Sequence, residues 1–200
     1  MRVLDSLPAL SPAQFFGVVA RCFYVEGRVE KKKKWFLPSM ADLFAEEEFA
    51  QVFVGWNEEA LSFFIDVDAP FVDAETDYVD LFLDTRDRKK KGVVSRFCHH
   101  FRFSAEGGKE MTRFRGEDMH PLALAEDLEC RAECKRKSYT LAIAIPTHSL
   151  HGYDPLLFAR LGFTYSIHRT EEAPLHFSVS SLEYGIGDHP ATWGSLHLVR

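Results

Sequence analysis

The stretch Asp77-Tyr78-Val79-Asp80-Leu81-Phe82-Leu83-Asp84-Thr85-Arg86-Asp87 (DYVDLFLDTRD) decides how this chain is read. In an extended chain successive side chains alternate, so Val79, Leu81 and Leu83 share one face while Tyr78, Asp80, Phe82 and Asp84 share the other. The first face is core. The second sets carboxylates into an apolar run, and is either solvated or a site.

The same period of two recurs along the chain. Residues 50–55 (AQVFVG) and 60–67 (ALSFFIDV) flank a turn at Trp56-Asn57-Glu58-Glu59, and 97–104 (FCHHFRFS) sets Phe97, His99, Phe101 and Phe103 against Cys98, His100, Arg102 and Ser104. Residues 160–168, 175–182 and 195–199 alternate likewise. In 128–146 (LECRAECKRKSYTLAIAIP) two alternating arms surround Lys135-Arg136-Lys137, the pattern of a hairpin with a charged turn. A helix stays open there, because ALAEDLECRAECKRK is rich in helix formers. The alternation favours strands, and Cys130 and Cys134 are then small core residues about 13 Å apart along one face, too far to share a zinc ion.

Eighteen phenylalanines and 46% hydrophobic residues in 200 supply a large core without disulfide staples. The expectation is one all-β domain over 1–200, an antiparallel, jelly-roll-like β-sandwich with at most short helices, in which 1–29 supply N-terminal strands. The stretches 104–117 and 31–34 read as its flexible loops. The net charge is −6, with basic runs at 31–34, 86–91 and 131–137 that read as solvated turns; no nucleic-acid surface is expected. No apolar run is long enough for a membrane span, and the first residues lack a secretory pattern, so a cytoplasmic location is expected. The four cysteines are irregularly spaced, and neither a disulfide nor zinc is expected to support the fold.

The ordered set of short motifs resembles carbohydrate-binding module family 9 and its DOMON-like relatives, most strongly over 30–200. A D-x-V-E/D-L-x-L-D strand is matched by Asp77, Val79, Asp80, Leu81, Leu83 and Asp84. An A-I-P-x-x-x-L turn is matched by Ala144, Ile145, Pro146 and Leu150, and a D-x-P-x-x-W-G-x-L ending by Asp188, Pro190, Trp193, Gly194 and Leu196. The resemblance implies a β-sandwich that binds sugar ends between aromatic rings and can hold structural calcium. Ala142 and His168-Arg169 depart from the family pattern, where an acidic residue and Asn-Asp are common.

A sugar ring presents apolar C–H faces and a rim of hydroxyls, so its binder needs aromatic planes and polar side chains together. The candidates are Trp193, Trp56 and Tyr184 for stacking, with Asp66, Asp80 and Arg102 for hydrogen bonds. If 60–67 pairs with 78–84, Asp66, Asp68, Asp80 and Asp84 crowd one surface and need a counter-charge. Arg102 is the expected supplier; calcium is the alternative, held by Asp68, Asp73, Asp77 and Asp84. No catalytic residue is assigned, because no H-E-x-x-H, G-x-S-x-G or phosphate-cradling loop occurs, and the nine histidines read as surface or satisfied interior. The function expected is non-catalytic carbohydrate binding. A protein-interaction domain that keeps the fold is the alternative, and a glycoside hydrolase using Asp66 and Asp80 the remote one.

Overall fold

A computed structural model describes residues 17–41, 46–89, 93–170, 172–178 and 185–200. The described residues form twelve strands and only short 3-10 turns: β1 (Val19–Tyr24), β2 (Phe36–Leu37), β3 (Ala50–Trp56), β4 (Ala60–Val67), β5 (Tyr78–Asp84), β6 (Cys98–Ser104), β7 (Gly107–Glu110), β8 (Glu129–Cys134), β9 (Tyr139–Pro146), β10 (Arg160–His168), β11 (Leu175–His176) and β12 (Gly194–Val199). The chain is all-β, as the period-two runs require, and the hairpin at 135–138 joins β8 to β9 with Cys134 opposite Tyr139.

The strands follow a single path, β7-β6-β5-β10-β12-β1-β3-β4-β9-β8, with β11 on β10 and β2 on β3. The two ends of the path come together where the Cys130 thiol on β8 reaches the Ser104 carbonyl at the end of β6, 3.4 Å away. A nearly closed, barrel-like sheet therefore stands where the sequence suggests two separate sheets. Closure leaves less strand edge bare, which unpaired edges favour. The pairing is antiparallel except at β1, which runs parallel to both β12 and β3. Alternation reports which side a residue faces and carries no information on strand direction.

Inside the sheet the inward residues interlock. Phe63 on β4 stacks on Phe163 on β10, ring centroids 5.7 Å apart, and Val79, Leu81 and Leu83 of β5 join the same core. Each fully buried aromatic or aliphatic side chain of this kind contributes about 1.5–3 kcal/mol. The stretch 104–110, read from sequence as a loop, is instead the tight β6–β7 hairpin. Gly108 is required there: a Cβ would lie 2.2 Å from the Phe103 ring. The other loop expected, 31–34, runs into a 3-10 turn over Lys33–Trp35. Cys130 and Cys134 are also corrected. β8 presents mostly exposed side chains, leaving Cys134 at the surface and Cys130 half-buried, whereas Cys22 and Cys98 are buried; all four are free.

Candidate functional site

β5 lies between β6 and β10, and this register builds the site. On the side facing away from the core, Asp80 is opposite Arg102 on β6 and Ser166 on β10, Tyr78 is opposite His168, and Phe82 is opposite His100. Arg102 grips Asp80 with two parallel hydrogen bonds, Nε to Oδ1 at 2.8 Å and Nη2 to Oδ2 at 2.9 Å. The guanidinium lies over the Tyr78 ring at 3.7 Å, and the His168 ring stacks on Tyr78 at 4.3 Å. His100 stacks on Phe82 at 4.3 Å, its Nε2 3.0 Å from Asp80 Oδ1 but out of line for a hydrogen bond. A planar fork seated on both a carboxylate and a ring is fixed in direction, which a lysine could not reproduce.

These contacts set the charges. Burial would raise the Asp80 carboxyl, but His100 and Arg102 outweigh it and hold the group below the usual carboxylate range. The hydrogen bond to Asp80 pushes Arg102 further up. Burial, with the Arg102 and His176 charges, pulls His168 down to about 4, so at neutral pH the ring is uncharged despite Asp80 4.0 Å away. Ser166 Oγ links it onward: 2.8 Å to His168 Nε2 and 3.2 Å to His176 Nε2, whose Nδ1 lies 2.7 Å from Glu46 Oε1. This Ser–His–Glu chain resembles a nucleophile with its base, but Ser166 is buried and does not line the cleft described next. Its hydroxyl orients histidines rather than facing a substrate.

Beside the Asp80–Arg102 pair opens a cleft of about 270 Å³, the size of a single small ring compound. Buried Phe82 and Trp193 line it together with the polar His100, Arg102, Arg113 and Asp188. Asp188 pairs with Arg115 at 2.9 Å. Gly187 lies flat over Phe82, where a Cβ would meet the ring at 2.9 Å. A lining of apolar rings and polar side chains can hold a ligand that has one apolar face and many hydroxyls.

The sequence candidates divide. Asp80 and Arg102 are brought together. Trp193 is among the residues lining the cleft but is 1% exposed, its ring packed at 5.8 Å against Phe82 and its indole N–H donated to the Ile186 carbonyl at 2.7 Å. It offers no free face for stacking. Trp56 is buried elsewhere, donating to the Val199 carbonyl at 3.2 Å and meeting Tyr24 edge-on. Both correct the expectation of exposed rings, because each closes a hydrophobic cluster. Tyr184 lies outside the described residues. Asp66 belongs to another face: β4 pairs with β3 and β9, not with β5, and Asp66 is bonded to Lys31 at 2.6 Å.

The proposed crowding of four carboxylates therefore does not occur, and the calcium set does not converge. Asp77 precedes β5 and Asp84 ends it, about 23 Å apart by strand rise. Asp84 accepts the Arg86 and Arg88 amides, Asp73 those of Glu75 and Thr76, and Asp77 those of Val72 and Thr170. Asp68 is exposed at the far end of β4. Among the described residues, the group of metal-type side chains that does converge is His99, Glu110 and His120. The sequence reading missed Tyr78, Phe82, His100 and His168 as site residues, although alternation alone places the first two beside Asp80. His168 is one of the departures from the family pattern.

The described residues share their all-β fold with solved modules of carbohydrate-binding module family 9. No protein-family model matches the sequence, and no curated protein matches it. Among solved structures, a family 9 module from Caldicellulosiruptor kristjanssonii in complex with glucose superposes with a TM-score of 0.65 at 13% identity, covering 90% of this chain and 95% of that one. The structure of such a module from that organism in complex with cellotriose gives 0.63 at 13% identity, covering 90% and 93%. At this identity the similarity establishes the fold.

Proposed function

We propose that this protein is a non-catalytic carbohydrate-binding module that takes one sugar unit, free or at the end of an oligosaccharide, into the cleft that Phe82 lines. The observation that carries this reading is the Arg102 fork, fixed by Asp80 and Tyr78 beside a cleft with aromatic rings in its lining. Arg102 donates to ring hydroxyls through the N–H groups that Asp80 leaves free, and Asp188 accepts from others. The shared fold with a module described in complex with glucose supports the ligand class. The carboxylates once considered for glycosidic cleavage, Asp66 and Asp80, are on strands that are not neighbours, which supports binding without hydrolysis. In this reading the fold works as a sandwich-like scaffold with its ligand on one outer face. Four free cysteines fit a reducing, cytoplasmic setting.

Calorimetry with glucose, cellobiose and cellotriose tests this. Wild type is expected to bind at least one of them, and Arg102→Ala to bind at least about tenfold more weakly, the value of a charge-assisted hydrogen bond. Unchanged affinity in a folded Arg102→Ala protein would refute the site.

A protein-interaction role is favoured by one separate observation. Leu156 and Leu157 are 68% and 75% exposed, and Leu157 shares a shallow surface with Val19 and Phe158. Loss of self-association or of partner capture in Leu156→Ser/Leu157→Ser, with sugar binding absent in wild type, would favour that role.

A further inference from the structure

On the core side of β6, away from Arg102, three buried side chains converge that the sugar site does not use. His99 Nδ1 and His120 Nε2 each lie 2.9 Å from the same atom, Glu110 Oε1, and the three ligand atoms are all within 4.8 Å of one another. His99 comes from β6, Glu110 ends β7, and His120 lies in the strandless run before β8. Their side chains are at most 1% exposed. The Thr112 hydroxyl donates to Oε1 at 2.6 Å, and the Ala123 amide donates to Oε2 at 2.6 Å.

We propose that His99, Glu110 and His120 form a binding site for a divalent transition-metal ion of the zinc class. His120 Nδ1 lies 2.7 Å from the Arg96 carbonyl, so that nitrogen must carry a proton. Nε2, the ring's other nitrogen, points at Glu110 Oε1 and is the atom left to meet an ion. At His99 it is Nδ1 that points at Glu110 Oε1, while Nε2 is buried and has no hydrogen-bond partner. A ring with one nitrogen on the metal and the other on a backbone carbonyl is the usual posture of a metal-bound histidine.

Tetrahedral zinc with bonds of about 2.0–2.1 Å separates its ligands by about 3.3 Å. The two 2.9 Å contacts need to open by only a few tenths of an ångström. Two imidazoles and one carboxylate suit zinc or ferrous iron and do not suit calcium or magnesium, which take oxygen. His99 and Thr112 are among the residues that line the cleft. One coordination position is left for water. Because the ligands come from three segments, the ion would pin the run 111–123 to the β6–β7 hairpin, a structural role.

The test uses the full chain. Metal analysis after purification, then titration of chelator-treated protein with zinc and with cobalt as a coloured probe, is expected to give one ion per chain. The cobalt spectrum should be that of a four-coordinate site containing imidazole. Glu110→Gln, which keeps the shape of the side chain, should weaken the ion at least tenfold, while His148→Gln, at an exposed histidine paired with Asp127, should leave it unchanged. If Glu110→Gln fails to fold, the wild-type cobalt titration decides alone. No saturable stoichiometric binding to wild type, or binding left unchanged in a folded Glu110→Gln protein, would overturn the proposal.

Discussion

Two aspartates in two strands carry the same sequence signature and have different fates. Asp80 in β5 and Asp66 in β4 both stand on the outward side of a mostly apolar strand, each with a phenylalanine two residues away. Asp66 meets Lys31 at the surface, with side chains 24% and 55% exposed. Asp80 is 8% exposed, gripped by a two-pronged arginine and bordered by stacked rings. Alternation put both carboxylates outside the core. What the surrounding segments laid over them made one a surface ion pair and the other the anchor of an arginine beside a cleft.

The first way to break this comparison is to remove the tryptophan from the cleft lining. Trp193→Ala is expected to cost about 3–5 kcal/mol, a drop of roughly 10 °C in melting temperature, because the indole is packed on Phe82 and its N–H is used. A protein that keeps its stability would mean the ring is not a structural plug. Next in size, Asp80→Ala should cost about 2 kcal/mol in chemical denaturation, between the values for exposed and fully buried pairs, since it strands Arg102 over Tyr78.

A third effect separates the faces by pH. His168 is held near 4 when folded and reverts to about 6.5 when unfolded, so the unfolded chain takes up the proton first. Its share of stability is complete above about pH 6.5 and is lost as the pH falls toward 4. The loss should be about 1–2 kcal/mol in wild type and smaller in His168→Gln. An identical pH profile in the two proteins would contradict the assigned environment. The smallest effect belongs to the other face: Asp66→Ala should change stability by less than about 0.5 kcal/mol.

How far the sequence carried is clear from the same residues. Strand limits at 60–67 and 160–168 are legible because turn residues bracket period-two runs, and the Asp80–Arg102 pairing is legible as two polar positions on neighbouring alternating strands. The neighbours of β5 are not. The loop 69–76 invites a hairpin between β4 and β5, yet the chain carries β5 away to lie between β6 and β10, and this long-range choice leaves no local mark. The tryptophans mislead for a related reason. Trp193 follows a 3-10 turn, a surface signal, but its ring packs against Phe82 and its indole N–H is donated back to the Ile186 carbonyl. His99 and His120 are 21 residues apart, so their meeting at Glu110 depends wholly on the β6–β7 hairpin and the run that follows it.

The most direct test of the central claim is a backbone amide NMR titration with glucose and cellotriose. The account predicts saturable shifts confined to Phe82, His100, Arg102, Gly187 and Asp188, with the Lys31, Gln51 and Asp66 amides still. Shifts that follow the Lys31–Asp66 surface instead, or no saturable shift with either sugar, would contradict it.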